Sequence, residues 1–154
     1  MAHGGWTARR RREARDGQGR LDLGEAGRRR GRRGEELAAA WLEERGFRIV
    51  ERNLRRRQAG EVDLLAWRQD TLHVVEVKAG KGPWEWLLQR VDERKLRLLL
   101  TTLARAGWLE GGPERPRRVQ VDALLVVLGG EGPELRLVED ILPPELGWSG
   151  GPDV

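Results

Sequence analysis

Two short segments carry the residues with the most chemistry in them. Glu61-Val62-Asp63-Leu64-Leu65-Ala66-Trp67 and Leu72-His73-Val74-Val75-Glu76-Val77-Lys78 both alternate, and Arg68-Gln69-Asp70-Thr71 separates them. Alternation of that length reads as a strand with two unlike faces, and the short polar break reads as a hairpin. A turn centred on Gln69-Asp70 sets Trp67 opposite Leu72, Leu65 opposite Val74, Asp63 opposite Glu76 and Glu61 opposite Lys78. All of these share one face, because strand side chains alternate with period two. The other face carries Val62, Leu64, Ala66, His73, Val75 and Val77, a core surface.

Opposed carboxylates in a hairpin have Cβ atoms roughly 5 Å apart and destabilise the sheet. Such a pair is relieved by a shared proton or by a divalent cation. An all-oxygen pair suits Mg²⁺ or Mn²⁺, completed by waters and substrate phosphates. Lys78, on the same face beside Glu76, would there orient a water or stabilise developing phosphate charge. The alternative is a solvated face, in which Glu61–Lys78 is an exposed ion pair and the repulsion between Asp63 and Glu76 is tolerated.

The elements that position this pair follow from periodicity. Gly34 to Arg45 reads as a helix with Leu37, Ala38, Trp41 and Leu42 on one side, closed by Gly46. Glu35 shares the stripe of Ala38, Ala39 and Leu42 that should meet the sheet, whereas Glu36 aligns with Glu43 on the wet side. Glu35 is thus a third candidate acid, or simply a favourable partner for the helix dipole. A strand runs from Phe47 towards Leu54, and Arg55–Gly60 forms a basic loop. Residues 79–90 read as irregular, with Trp84 and Trp86 unplaced. Asp92 caps a second helix that runs to Ala106 and stops at Gly107, with Val91 and Leu96 spaced as a hydrophobic staple.

Val119–Leu128 is an apolar strand and Glu134–Val138 a short last one. The order α-β-β-β-α-β-β implies a mixed sheet with helices packed against it. Lys95 either faces the carboxylates or snorkels over the sheet edge. Asp122 reads as a hydrogen-bonded structural acid or a site contributor, and His73 as core packing.

Composition removes most other chemistries. The 154 residues contain no cysteine and no tyrosine, one serine (Ser149) and two histidines (His3 and His73). Disulfides, thiolate metal sites, cysteine or tyrosine nucleophiles and serine–histidine catalysis are therefore excluded or nearly so. Twenty-six of the 29 basic residues are arginine, and only Lys78, Lys81 and Lys95 offer a compact, tunable amine.

Charge is unevenly spread. Residues 1–33 hold eleven arginines against four acids, while 34–154 hold 18 basic and 21 acidic residues. We therefore expect a basic, disordered arm over 1–30, a folded domain over 31–142 and a flexible tail over 143–154. The arm reads as a phosphate-binding tail, or as a solvated or extraneous extension. With no apolar stretch suited to a signal or a membrane span, a cytoplasmic location is expected.

Taken together, Gly34-Glu35-Glu36-Leu37-Ala38-Ala39, Leu42, Gly46, Arg52-Asn53, Gly60-Glu61-Val62-Asp63-Leu64-Leu65, Val75-Glu76-Val77-Lys78, Lys95 and Val121-Asp122-Ala123-Leu124 resemble the YraN-like family of uncharacterised bacterial proteins. The resemblance spans roughly residues 30–142, and through that family the chain is similar to the restriction-endonuclease-like superfamily, archaeal Holliday-junction resolvases above all. It implies an αβββαβ core and a PD-(D/E)-x-K nuclease site. Asp63 matches that motif's first acid, Glu76 its second, Lys78 its lysine, and Glu35 the helix-borne glutamate of resolvase-like members. The chain departs from the family at Gly80, where an arginine is common.

The expectation is a Mg²⁺- or Mn²⁺-dependent nuclease acting on structured or branched DNA. Asp63, Glu76 and Glu35 would hold the metal, Lys78 would assist the attack, and Arg55, Arg56, Arg57 and Lys95 would contact nucleic acid. A homodimer is implied by the resemblance. The rival readings are a nucleic-acid-binding accessory protein with weak or no catalysis, and an interaction protein with no nucleic-acid role.

Overall fold

The computed structural model describes residues 4–110 and 115–146, with side chains from residue 24 onward. His3, Ser149, residues 147–154 of the expected tail and the side chains of Arg9–Arg12 lie outside the described residues.

The first helix, α1, spans Gly4–Glu44 and is longer than the expected helix beginning at Gly34. Its N-terminal portion covers most of the segment expected to be an irregular arm. Arginine and alanine are good helix formers, and an i,i+4 pair between Glu25 and Arg29 at 3.3 Å supports that portion. The helix ends as the sequence predicts. Gly46, at φ +84°, donates to Glu43 and the Phe47 amide reaches back to Leu42, a Schellman closure that needs a left-handed residue.

Among the described residues five strands form one sheet in the order β1-β2-β3-β4-β5. They are β1 (Arg48–Arg55), β2 (Glu61–Arg68), β3 (Thr71–Gly80), β4 (Arg118–Val127) and β5 (Glu134–Val138). The first three form an antiparallel meander, β4 runs parallel to β3, and β5 returns antiparallel to β4. The parallel step requires a crossover. Two helices provide it, α2 (Trp84–Leu88) and α3 (Glu93–Arg105). The short α2 lies in the stretch expected to be irregular. Asp92 caps α3 by accepting from the Lys95 amide at 2.8 Å, and Gly107 ends it at φ +82°.

Both sheet faces are covered. On one, Ala38, Ala39, Leu42 and Phe47 pack with Leu64, Ala66, Val75, Val77, Leu124 and Val126. On the other, Leu96, Leu99 and Leu103 of α3 pack with Leu54, Leu65, Leu72, Val74, Val119 and Val121. The even-numbered face of β2 behaves as expected except at Val62, which joins the α3-side cluster. Residues 143–146 of the expected flexible tail are described. They include a 3-10 turn at Pro144–Leu146, and Leu146 packs on the α3-side cluster.

Two close approaches set the helices relative to the sheet. A Cβ at Gly34 would stand 2.5 Å from Cβ of Ala79, so α1 crosses the end of β3 where it carries no side chain. A Cβ at Gly60 would stand 2.9 Å from Cβ of Leu98, and the Gly60 carbonyl accepts from the Thr102 hydroxyl at 2.9 Å. The first approach brings Glu35 to the sheet, and the second seats α3 over the start of β2.

Candidate active site

The hairpin register agrees with the sequence reading from Arg68↔Thr71 to Leu64↔Val75, with Gln69 turning the chain at φ +56°. Beyond that point the described ladder stops. Asp63 and Glu76, expected to face each other as a ladder pair, lie just past its end, as do Glu61 and Lys78. The Val77 amide, directed towards β2, donates to Oδ2 of Asp63 at 2.8 Å. A side-chain acceptor thus occupies the place of a main-chain one, and the two strands part where the acids sit.

The solvated-face alternative does not describe this hairpin. Asp63 is 9% exposed and Glu76 only 1%. Nor do Glu61 and Lys78 form the ion pair that alternative contains. Glu61 pairs with Arg55 at 2.9 Å, and Lys78 turns to Oε1 of Glu76 at 2.8 Å. Lys95 Nζ stands 3.6 Å from the same oxygen and 3.4 Å from the Glu61 carbonyl, so it faces the acids rather than snorkelling away. The second oxygen of Glu76, Oε2, is buried without a hydrogen-bond partner among the described residues. A buried acceptor left bare in this way costs free energy unless a ligand takes it up.

The electrostatics match the crowding. Burial first, then the neighbouring Glu76 and the more distant Glu35, push the Asp63 carboxyl up from 3.8 to about 7. The Val77 amide and Lys95 pull the other way. Glu35 is also raised, by burial, Glu61 and Glu76, against the Asn53 amide and Arg55. With its amide nitrogen turned towards the acids, Asn53 donates to Oε2 of Glu35 at 3.1 Å and to Oε1 of Glu61 at 3.0 Å. It does so from a left-handed backbone at φ +52°, a conformation asparagine tolerates.

The sequence places Asn53 only within a motif and gives it no role, whereas the fold makes it a link between two acids. One signal of importance is visible in the chain, since this is its single asparagine. Glu35, half-buried, does reach the cluster's edge from α1, whereas Glu36 is exposed.

Of the remaining expected residues Arg55 stays at the edge of the cluster, and the others are engaged elsewhere. Arg55 is engaged with Glu61, Arg56 donates to the Arg55 carbonyl at 2.8 Å, and the Arg57 carbonyl accepts from Arg105 at 2.7 Å. Asp122 takes the structural role. Its Oδ2 lies 2.6 Å from Nδ1 of His73, while its Oδ1 accepts from the Gln120 side chain and the Asp140 amide. His73 packs edge-on against Phe47 with ring centroids 4.9 Å apart, so it is core packing with a polar partner.

As a donor set, Asp63, Glu76 and Glu35 offer only carboxylate oxygens, which suit a hard cation. Among the described residues no three His, Asp or Glu side chains stand together as a group able to hold a metal ion, so Glu35 does not close a three-acid set with Asp63 and Glu76. The bare Glu76 oxygen and the all-oxygen chemistry of the Asp63–Glu76 pair are what a hard cation would require.

The mixed five-stranded sheet flanked by α1 and α3 has the architecture of a restriction-endonuclease-like core. The sequence profile of the Uncharacterised protein family UPF0102 matches residues 34–126, and the chain belongs to that family. This agrees with the YraN-like resemblance. Among its relatives, a UPF0102 protein of Rhodococcus jostii (strain RHA1) is 38% identical over 116 residues, which cover 71% of this chain and 92% of the relative. One from Anaeromyxobacter dehalogenans (strain 2CP-C) is 38% identical over 125 residues, covering 78% and 83%. A third, from Sulfurovum sp. (strain NBC37-1), is 32% identical over 111 residues, covering 72% and 91%. No helix among the described residues is long and apolar enough to cross a membrane.

Proposed function

We propose that this protein is a Mg²⁺- or Mn²⁺-dependent endonuclease that hydrolyses phosphodiester bonds in structured or branched DNA. The observation that carries the reading is Glu76. It is buried beside a second carboxylate with one oxygen on Lys78 and the other bare. A stability-driven core has no use for that arrangement, because a buried acid pair with an unmet acceptor is costly.

In this reading Asp63, Glu76 and Glu35 would hold the cation. Such an ion would supply Lewis acidity at the phosphate and activate water as a nucleophile. Lys78 Nζ, 2.8 Å from Glu76, is positioned to orient the attacking water and to offset charge on the phosphoryl oxygens. Lys95 adds a second positive charge on the same side. Water loses a proton to solvent as its oxygen bonds to phosphorus, the phosphorus–oxygen ester bond breaks, and the leaving oxygen takes up a proton from solvent. Arg56 and Arg57, in the loop before β2, and the arginines of α1 supply phosphate contacts that weaken with salt.

The test pairs calorimetry with cleavage. Mn²⁺ titrated into the unmutated protein binds, Glu76→Gln abolishes that binding, and a labelled four-way junction is cut by the first and not the second. Mn²⁺ binding lost in Glu76→Gln, with no cleavage of any branched or linear DNA, would instead mark a metal-binding but noncatalytic nucleic-acid protein.

A further inference from the structure

Just past the acid cluster, β3 runs into a cleft of about 400 Å³ lined by Arg30 of α1, Gly80 and Lys81, and Trp86, Leu87 and Arg90. A second recess shares Arg30 and Lys81 with it and adds Arg33. Trp86 is 66% exposed, and no other large apolar side chain among the described residues is exposed. A single exposed indole is ordinary by itself; its setting beside a basic cleft is what gives it a use.

The indole is also held in place. Gly82 sits at φ +109°, and a Cβ there would come within 3.2 Å of Cε3 of Trp86. Only glycine gives both the turn and the room, so the ring rests against backbone on one side and is open on another. Leu87, buried, anchors the same short helix into the sheet.

The charged residues that line the two recesses are all basic, although Glu85 is the neighbour of Trp86 on the same short helix. Arg30, Arg33, Lys81 and Arg90 are each without an acidic partner among the described residues. Arg90 donates to the Ala79 carbonyl at 3.3 Å, which sets its guanidinium at the cleft floor. Exposed π surface ringed by unpaired cations is how proteins hold an unstacked base and its flanking phosphates. A duplex hides its base faces, so its stacking chemistry does not match Trp86.

We propose that this cleft binds single-stranded DNA, with one base stacked on Trp86 and the adjoining phosphates held by Arg30, Arg33, Lys81 and Arg90. Gly80 lies two residues beyond Lys78 on the same strand face, roughly 7 Å along β3. The cleft therefore holds the unpaired strand that leads to the acid cluster. This rests on the nuclease reading for its purpose, but its chemistry is separate and is measured without metal.

The experiment is fluorescence anisotropy of the full chain in EDTA, with labelled oligothymidylate and with a duplex of the same length. Trp86→Ala weakens single-strand binding about tenfold, the order of one stacked base, and leaves duplex binding within twofold. Trp86→Phe, which keeps an aromatic face, restores most of the loss and shows that folding is intact. Replacing Lys81 and Arg90 by glutamine weakens binding and flattens the salt slope by about 0.7 for each phosphate no longer neutralised.

Equal losses on single strand and duplex, or none in Trp86→Ala, would overturn the proposal. So would displacement of the oligonucleotide by polyglutamate at equal charge, which would make the cleft an acidic-peptide site, or tighter Trp86-dependent binding of oligouridylate. Trp86-dependent binding without any cleavage overturns the nuclease and keeps the cleft. Cleavage without Trp86 dependence does the reverse.

Discussion

Lys78 Nζ lies 2.8 Å from Oε1 of Glu76, while Oε2 of the same carboxylate is buried and bare. One oxygen is neutralised by the chain itself and the other is left for a ligand. Removing the lysine therefore exposes the cost of the buried charge. Lys78→Met should destabilise the metal-free protein by about 3 kcal/mol in urea unfolding, as breaking one side of a buried pair does. Lys95, 3.6 Å away, keeps the loss from being larger. An unchanged unfolding midpoint would mean that the pair contributes nothing.

Stability should fall as pH rises from about 4 to about 7. The folded Asp63 keeps its proton up to about 7, whereas the unfolded chain releases it near 3.8, so between those values the native state binds more protons. This contribution is fully present below the unfolded value and is lost as pH rises through the folded one. Glu35, also raised, acts in the same direction. Asp63→Asn should flatten the slope in EDTA and be more stable than the parent at pH 8. A slope that persists unchanged in Asp63→Asn would assign it elsewhere.

Two glycines on α1 should respond oppositely to alanine. At Gly34 the new methyl would meet Cβ of Ala79 at 2.5 Å, so Gly34→Ala should cost about 1–3 kcal/mol by overpacking and push Glu35 away from Asp63. At Gly31 nothing lies within 4 Å, and Gly31→Ala should stabilise by up to about 1 kcal/mol through helix propensity. Thermal unfolding of both variants, with Mn²⁺ affinity of the first, checks the pair.

The His73–Asp122 hydrogen bond should matter for stability and not for chemistry. Asp122→Ala strips a partner from the His73 ring, the Gln120 amide and the Asp140 main chain at once. A loss of about 3 kcal/mol or more is expected, since each buried group left unmet is costly. Mn²⁺ affinity, measured well below the unfolding temperature, should stay within twofold. A large change in affinity with intact folding would bring Asp122 into the site.

Much of the site is legible in the chain because a hairpin is a local object. Alternation and a two-residue turn determine which side chains share a face, and the register from Arg68↔Thr71 to Leu64↔Val75 follows from that. The Asp92 cap and the stops at Gly46 and Gly107 are equally local, each decided by a few neighbouring residues. The acids are legible for the same reason, since Asp63 and Glu76 are separated only by the hairpin.

What the alternation does not contain is what happens where the hairpin opens. Burial of Glu76 depends on β4 and the helices covering the sheet, partners distant in sequence, and period-two reasoning assigns a face without saying whether it is wet. The departure of Val62 to the α3-side cluster and the Val77 amide's choice of the Asp63 side chain both arise there. Asn53 meets Glu35 only because α1 crosses the sheet at Gly34, and Trp86 faces Arg30 only because α1 projects past β3. Sequence by itself determined the strands, the turn and which two acids the hairpin brings near each other. Tertiary structure decided their burial, their charge partners and the cleft beside them, because desolvation and ion pairing depend on which distant surfaces exclude water.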